Sequence, residues 1–224
     1  MKEIMCILIP IIILIIIICY FCLKLNKYNF LNYLNNSNLT EKQKKFSVAL
    51  KDMADILEDN RLSFFLYCGT ALGCHRQGTF IEHDPDIDLG MEKTNFKNLT
   101  DNMSNIIEGK NPKFMLGGSY PKDGEKTEFC FIHIKTGVRI DIFLVEKTPE
   151  GYVHYTYSGP CDVRPNGRCE YVNSFKFGWK ECMGKKYKVP NIEYLESHYG
   201  KDWKVAKKYS YNESITNSMV KSLK

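Results

Sequence analysis

Several common signatures are missing from this chain, and each absence narrows what it does. Its five histidines, at positions 75, 83, 133, 154 and 198, form no His-Glu-x-x-His pair, which excludes the helical zinc site of a metalloprotease. No Gly-x-Ser-x-Gly elbow occurs, so a serine hydrolase of the α/β type is excluded too. Beyond residue 24 the cysteines are Cys68, Cys74, Cys130, Cys161, Cys169 and Cys182, and they hold no Cys-x-x-Cys pair or Cys/His cluster with zinc-ligand spacing. There is no internal repeat. No run interleaves basic and aromatic residues in the manner of a nucleic-acid site, so nucleic acid is not expected as a partner.

Charge is absent altogether from Ile4 to Leu23, IMCILIPIIILIIIICYFCL. About 20 apolar residues cross a bilayer as one helix, and Pro10 is tolerated in such a helix. A cleaved leader would need small residues after its apolar run. Tyr20, Phe21, Cys22 and Leu23 stand there instead, so residues 1–24 are expected to be an uncleaved signal-anchor. Lys24 and Lys27, taken alone, favour a cytoplasmic position for the C-terminal side. Residues 25–40 read as a polar stalk.

The remainder of the chain is long enough for one domain with its own core, expected over 41–210, with a basic polar tail at 211–224. The formal net charge is +5, and Lys201, Lys204, Lys207, Lys208, Lys221 and Lys224 lie late in the chain. A solvated face is the ordinary reading of such lysines, with a membrane surface or an anionic ligand as the functional one. The six cysteines beyond the anchor permit disulfides, and Cys161 and Cys169, bracketing the turn-forming Arg-Pro-Asn-Gly, form the expected pair. Sequons at Asn35, Asn38, Asn98, Asn102 and Asn212 suit a lumenal domain.

Periodicity sets the elements. Thr40 and Gln43 form a capping box ahead of Phe46, Leu50, Met53, Ile56 and Leu57, which predicts a helix over 41–59. Strands are expected at 63–68, in Asp-Ile-Asp-Leu-Gly-Met (86–91), and in the hairpin pair 127–134 and 138–146 turning at Lys135-Thr136-Gly137. Residues 151–157 add a further strand. Helices are expected at 70–73, over about 14 residues ending at Gly109, and from Pro190 to Gly200. This order describes an α/β domain, an α+β arrangement on one mixed sheet.

The segment EHDPDIDLGM places Asp84, Asp86 and Asp88 at alternate positions. On a strand Asp86 and Asp88 would share one face while Ile87 and Leu89 enter the core. Two unneutralised carboxylates on one surface repel. Mg²⁺ or Mn²⁺ resolves that conflict, since such ions take oxygen ligands and commonly combine carboxylates with substrate phosphates. Asp141, between Ile140 and Ile142, is a third acid in a run otherwise fit for burial, and it needs a metal or a cation. Arg139 on the same face is the simpler partner. Upstream, Gly69-Thr70 ends a strand and opens a helix, where free amides and the Thr70 hydroxyl would seat phosphate oxygens and Arg76 would add charge.

The segment GTALGCHRQGTFIEHDPDIDLGM, followed by RIDIF and by FGWKECMGKKYKVPNIEYLESHYGKDW, resembles the LicD/fukutin family over roughly residues 45–204. Two departures stand out: His83 occupies a position that is usually Trp, and Pro85 replaces the middle acid. The resemblance implies a nucleotidyltransferase-like fold and transfer of a phosphate-linked group, of the ribitol phosphate or phosphocholine type, from a CDP-activated donor to a glycan. It also implies a Golgi or ER membrane protein with a lumenal C-terminal domain, which outweighs the flanking charges. In that reading Asp86, Asp88 and Asp141 bind Mg²⁺ or Mn²⁺, Asp141 serving alternatively as general base, and Gly69, Thr70 and Arg76 hold the donor phosphates. Two readings stay open beside it: attachment of a nucleoside monophosphate to a protein or sugar, and a non-catalytic binding module.

Overall fold

The computed structural model describes residues 2–35, 38–93, 102–109, 112–121, 123–149, 151–157, 169–173, 176–207 and 220–221, with backbone alone for 2–7, 169–173 and 220–221. Helix α1 (Lys2–Leu34) carries the apolar run, and Leu8–Leu34, 27 residues, is long and apolar enough to cross a membrane. It does not stop where the run stops. The segment expected as a polar stalk is helical through Leu34, because Phe30 is buried and Tyr33 packs on the domain core. The Tyr33 hydroxyl lies 2.9 Å from Thr79 Oγ1, and its ring covers Gly184, where an added Cβ would approach within 2.9 Å.

Helix α2 (Glu41–Asp59) begins at the expected capping box, with the Gln43 amide donating to Thr40 Oγ1 and the Thr40 amide donating to Gln43 Oε1. Strand β1 (Phe65–Leu66) is shorter than the sequence suggested, because the chain turns into α3 (Cys68–Gln77). Then come β2 (Ile87–Glu92), α4 (Met103–Glu108), β3 (Phe114–Tyr120), β4 (Glu128–His133) and β5 (Arg139–Thr148). The expected start of the helix before Gly109 lies outside the described residues. The chain continues through β6 (Gly151–Thr156), β7 (Cys169–Asn173), β8 (Phe177–Cys182), β9 (Lys185–Pro190), α5 (Ile192–Tyr199) and β10 (Val220–Lys221). Pro190 ends β9, opposite Phe177, rather than opening α5. The segment expected as a tail contributes β10, which pairs with β7.

β5 organises the sheet. Its first half lies between β2, parallel, and β4, antiparallel, and its end pairs with β6. β1 extends the sheet beyond β2, and β3 extends it beyond β4. Alternation along the strands then divides the core in two. Ile87, Leu89, Met91, Phe129, Phe131, Ile140, Ile142 and Leu144 form one cluster with Phe46, Leu50, Met53 and Leu57 of α2. Each such side chain contributes about 1.5–3 kcal/mol by leaving water. The opposite face carries Phe65, Tyr67, Phe143 and Val145, packed with Tyr194, Leu195 and Trp203.

A disulfide joins Cys74 of α3 to Cys182 at the end of β8. The expected Cys161–Cys169 pair lies outside the described side chains. Proximity in sequence had favoured that pair. The bond that is described joins residues 108 positions apart, aided by the Met183 amide donating to the Gly78 carbonyl.

Candidate active site

β2 and β5 run side by side with Asp88 directly opposite Asp141. On the other side of β5, Cys130 of β4 faces Asp141 and Glu128 faces Phe143. Side chains alternate with a period of two, so three neighbouring strands present Asp88, Asp141 and Glu128 on one face. Above that face is a cavity of about 560 Å³ lined by all three, together with Gly69, Arg76, His83, Asp84, Pro85, Asp86, His154, Trp203 and Lys207. Its size suits a small-molecule site.

Asp141 is 4% exposed and has the simpler of its two expected partners. Arg139 Nε donates to Oδ1 at 2.8 Å and Nη2 lies 2.7 Å from Oδ2, a two-point clamp between residues i and i+2 of one strand face. The pairing holds the guanidinium charge firmly, raising its proton affinity.

Asp88 ties β2 to the start of α3. Its Oδ2 accepts the Gly69 amide at 3.1 Å, its own amide donates to Thr70 Oγ1 at 2.9 Å, and its carbonyl accepts the Tyr67 amide at 3.0 Å. Two expectations change accordingly. The Gly69 amide is engaged by Asp88 rather than presented to a phosphate. Thr70 is buried, does not line the cavity, and fastens the helix to the strand. Arg76 does line the cavity, on the last turn of α3.

Asp84 and Asp86 belong to the loop before β2, since the strand begins at Ile87 rather than at Asp86. Ile87 and Leu89 are fully buried, as their alternation with the acids required. The loop is anchored by α2: Thr40 Oγ1 donates to Glu82 Oε2, Lys42 Nζ to the Glu82 carbonyl and Gln43 Nε2 to the Phe80 carbonyl. Glycine at 69 lets Asp84 approach α3, because a Cβ there would stand 2.1 Å from Asp84 Oδ2.

Crowding shows in the acids' proton affinities. Burial, then the charge of Asp86, pushes Asp84 up to about 7. Burial, then Asp141, pushes Asp86 up to about 6. Asp88 is raised well above the usual carboxylate range by burial and by Asp86, Asp84 and Asp141, against the opposing Gly69 hydrogen bond. Glu128 is pushed up to about 8, chiefly by burial and then by Asp141. Cys68, in the first turn of α3, is also raised by burial and by Asp88, which keeps it a thiol.

Carboxylate oxygens are the donors Mg²⁺ and Mn²⁺ take. Among the described residues, no three Asp, Glu, His or Cys side chains are placed to enclose an ion together. Arg139 engages both oxygens of Asp141. Asp86 and Asp88 fit a divalent ion by donor chemistry and by the mutual repulsion a cation would relieve, and Asp141 already has a cation beside it in Arg139.

Glu128 and Asp84 extend the expected constellation. Asp84 was visible as part of the acidic run. Glu128 carried no signal of its own, being a single acid at the start of an apolar strand, where charge commonly marks an exposed strand end.

The model of the LicD/FKTN/FKRP nucleotidyltransferase domain matches residues 61–191, more than half of the chain. Ribitol-5-phosphate transferase FKTN from Mus musculus is 27% identical over 166 residues, covering 73% of this chain and 34% of that protein. The Homo sapiens protein of the same name is 26% identical over 179 residues, covering 78% and 37%. The chain thus matches about a third of the length of these curated relatives. The solution structure of antibiotic-resistance factor ANT(2″)-Ia aligns with a TM-score of 0.44 at 13% identity, over 78% of this chain and 82% of its own, too loosely to bear on the site. By the extent of the domain match, this chain belongs to the LicD/FKTN/FKRP family of nucleotidyltransferase domains.

Proposed function

We propose that this protein is a membrane-anchored transferase. It moves a phosphate-linked group, of the ribitol phosphate or phosphocholine type, from a CDP-activated donor to a glycan, with Mg²⁺ or Mn²⁺ held by Asp86 and Asp88. The carrying observation is the registered pair Asp88 and Asp141 on adjacent parallel strands, at a cavity that Arg76 and Lys207 also line. A bound divalent ion supplies charge neutralisation for the donor diphosphate. Arg76 offers charge-assisted contacts to phosphate oxygens, and Lys207, itself paired with Asp202, adds positive charge to the cavity wall. The Arg139–Asp141 clamp fixes the wall opposite Asp88, and Asp88 holds the first turn of α3 in place, so positioning supplies much of the rate. The names of the curated relatives support the ribitol phosphate type.

A disulfide between α3 and β8 suits an oxidising compartment. That favours a Golgi or ER protein with its domain on the lumenal side of the α1 anchor.

Calorimetry on the full chain in detergent micelles tests the reading, with CDP-ribitol, CDP-choline and UDP-sugars titrated with and without Mn²⁺. Metal-dependent binding of one CDP conjugate, lost in Asp88→Asn with folding intact, is the expected result. A folded protein that binds no nucleotide conjugate overturns it.

A further inference from the structure

Transfer to a hydroxyl needs a group to take the acceptor's proton, and the three expected acids are engaged elsewhere. Asp141 is the base in one of the two roles the sequence offered it, yet Arg139 engages both of its oxygens and ties the carboxylate back to its own strand. Asp88 is strapped to Gly69, and Asp86 is committed to the ion. Glu128 is the acid of the facing strand. It is only 7% exposed, and its Oε2 is buried with no hydrogen-bond partner among the described residues. Burying an unsatisfied carboxylate oxygen is costly. The cavity wall is where this one stands.

Its place is set by register. Cys130 is opposite Asp141 and Glu128 is opposite Phe143, so Glu128 stands one strand away from Asp141 and two from Asp88, on the shared face. From the reading of this site as a CDP-dependent transferase, we infer that Glu128 is the acceptor's residue. Its Oε2 accepts a hydrogen bond from the attacking hydroxyl and takes that proton during transfer.

In the step, the acceptor oxygen bonds to the phosphorus of the transferred phosphate as the bond from that phosphorus to the bridging oxygen breaks. CMP leaves with the bridging oxygen and its electron pair, and the hydroxyl proton passes to Glu128. The charged and titratable groups around Glu128 are Asp141 and Arg139 on β5, Asp86 on the loop before β2, Cys130 on its own strand and Tyr120, its cross-strand partner on β3. A carboxylate whose proton affinity is raised toward neutrality, as burial does here, is suited to general base work.

The test uses the full chain in detergent with Mn²⁺, CDP-ribitol as donor and a mixture of glycans released from glycoproteins as acceptor, compared with Glu128→Gln and Glu128→Asp. The glutamine variant should unfold at the parent's temperature or above it and bind CDP-ribitol as the parent does. Its CMP release should fall about a hundredfold or more. The limb of the parent's pH profile in which activity rises with pH should disappear, and Glu128→Asp should restore part of the rate. Release by Glu128→Gln within about threefold of the parent, or a loss of donor binding that accounts for the lost rate, overturns the assignment. A parent that neither binds the donor nor releases CMP overturns the transferase reading and this inference with it. The parent and variant arms tell the two failures apart.

Discussion

The Arg139–Asp141 clamp makes the sharpest claim at the scale of single residues. Removing one partner of a buried pair leaves the other charge uncompensated, a loss of about 3–5 kcal/mol when both are buried. Arg139 is half open to water, and solvent screening reduces the loss to about 2 kcal/mol. Arg139→Ala should therefore destabilise the protein by that amount in urea unfolding, and adding Asp141→Asn should recover part of it. A change below about 0.5 kcal/mol would show that the carboxylate does not depend on the clamp. The need for such a partner was legible in sequence, because Asp141 lies between isoleucines in a run that has to be buried. Thr70 was misread because a hydroxyl at a helix start offers itself equally to a ligand and to a neighbouring strand. Only the placement of Asp88 decides between them. Glu128 was not legible. A three-residue turn at Lys135-Thr136-Gly137 sets Cys130 opposite Ile142 and turns Glu128 to the other face, whereas the observed register, one residue away, sets Cys130 opposite Asp141.

At the scale of elements, the end of α1 belongs mechanically to the domain. Phe30 is buried, and Tyr33 closes over Gly184 while its hydroxyl meets Thr79, at the start of the loop that carries the acids. A chain beginning at residue 41 should thus melt several degrees below one beginning at residue 26 and bind the donor more weakly. A loss of about 1–2 kcal/mol corresponds to a shift of roughly that size in a domain of this length. Equal melting temperatures would show that the helix end merely rests on the surface. Composition concealed this contact: asparagine is the commonest residue of 25–40, and Phe30 and Tyr33 are too few to announce a packed face. The β8–β9 hairpin was hidden for a similar reason, since lysines alternate with its buried Tyr187 and Val189. Helix α2, by contrast, was legible to the residue, its capping box and apolar spacing agreeing on both limits.

The stability of the whole molecule against pH combines groups of opposite sign, and they can be separated. His154 and His198 are held neutral by burial, at about 3 and about 4, so the unfolded chain binds more protons than the folded one below its ordinary histidine value of 6.5. Their contribution is complete above that value and is lost as pH falls through 4 toward 3. Glu128 runs the other way. Its folded value of about 8 exceeds the ordinary 4.5, so its contribution is complete below 4.5 and is lost as pH rises through 8. Glu128→Gln removes only the second contribution. Denaturant unfolding of parent and variant at pH 5, 6.5 and 8, without added metal, should therefore give a difference that changes with pH. The variant should be the more stable by roughly 2 kcal/mol or more at pH 8, with the margin shrinking steadily toward pH 5. Both proteins share the histidine loss below 6.5, so it cancels in the comparison. A difference constant across the range would mean that Glu128 is ionised in the folded protein much as in the unfolded chain, and that the face shared by β2, β5 and β4 is wetter than the packing of its strands implies.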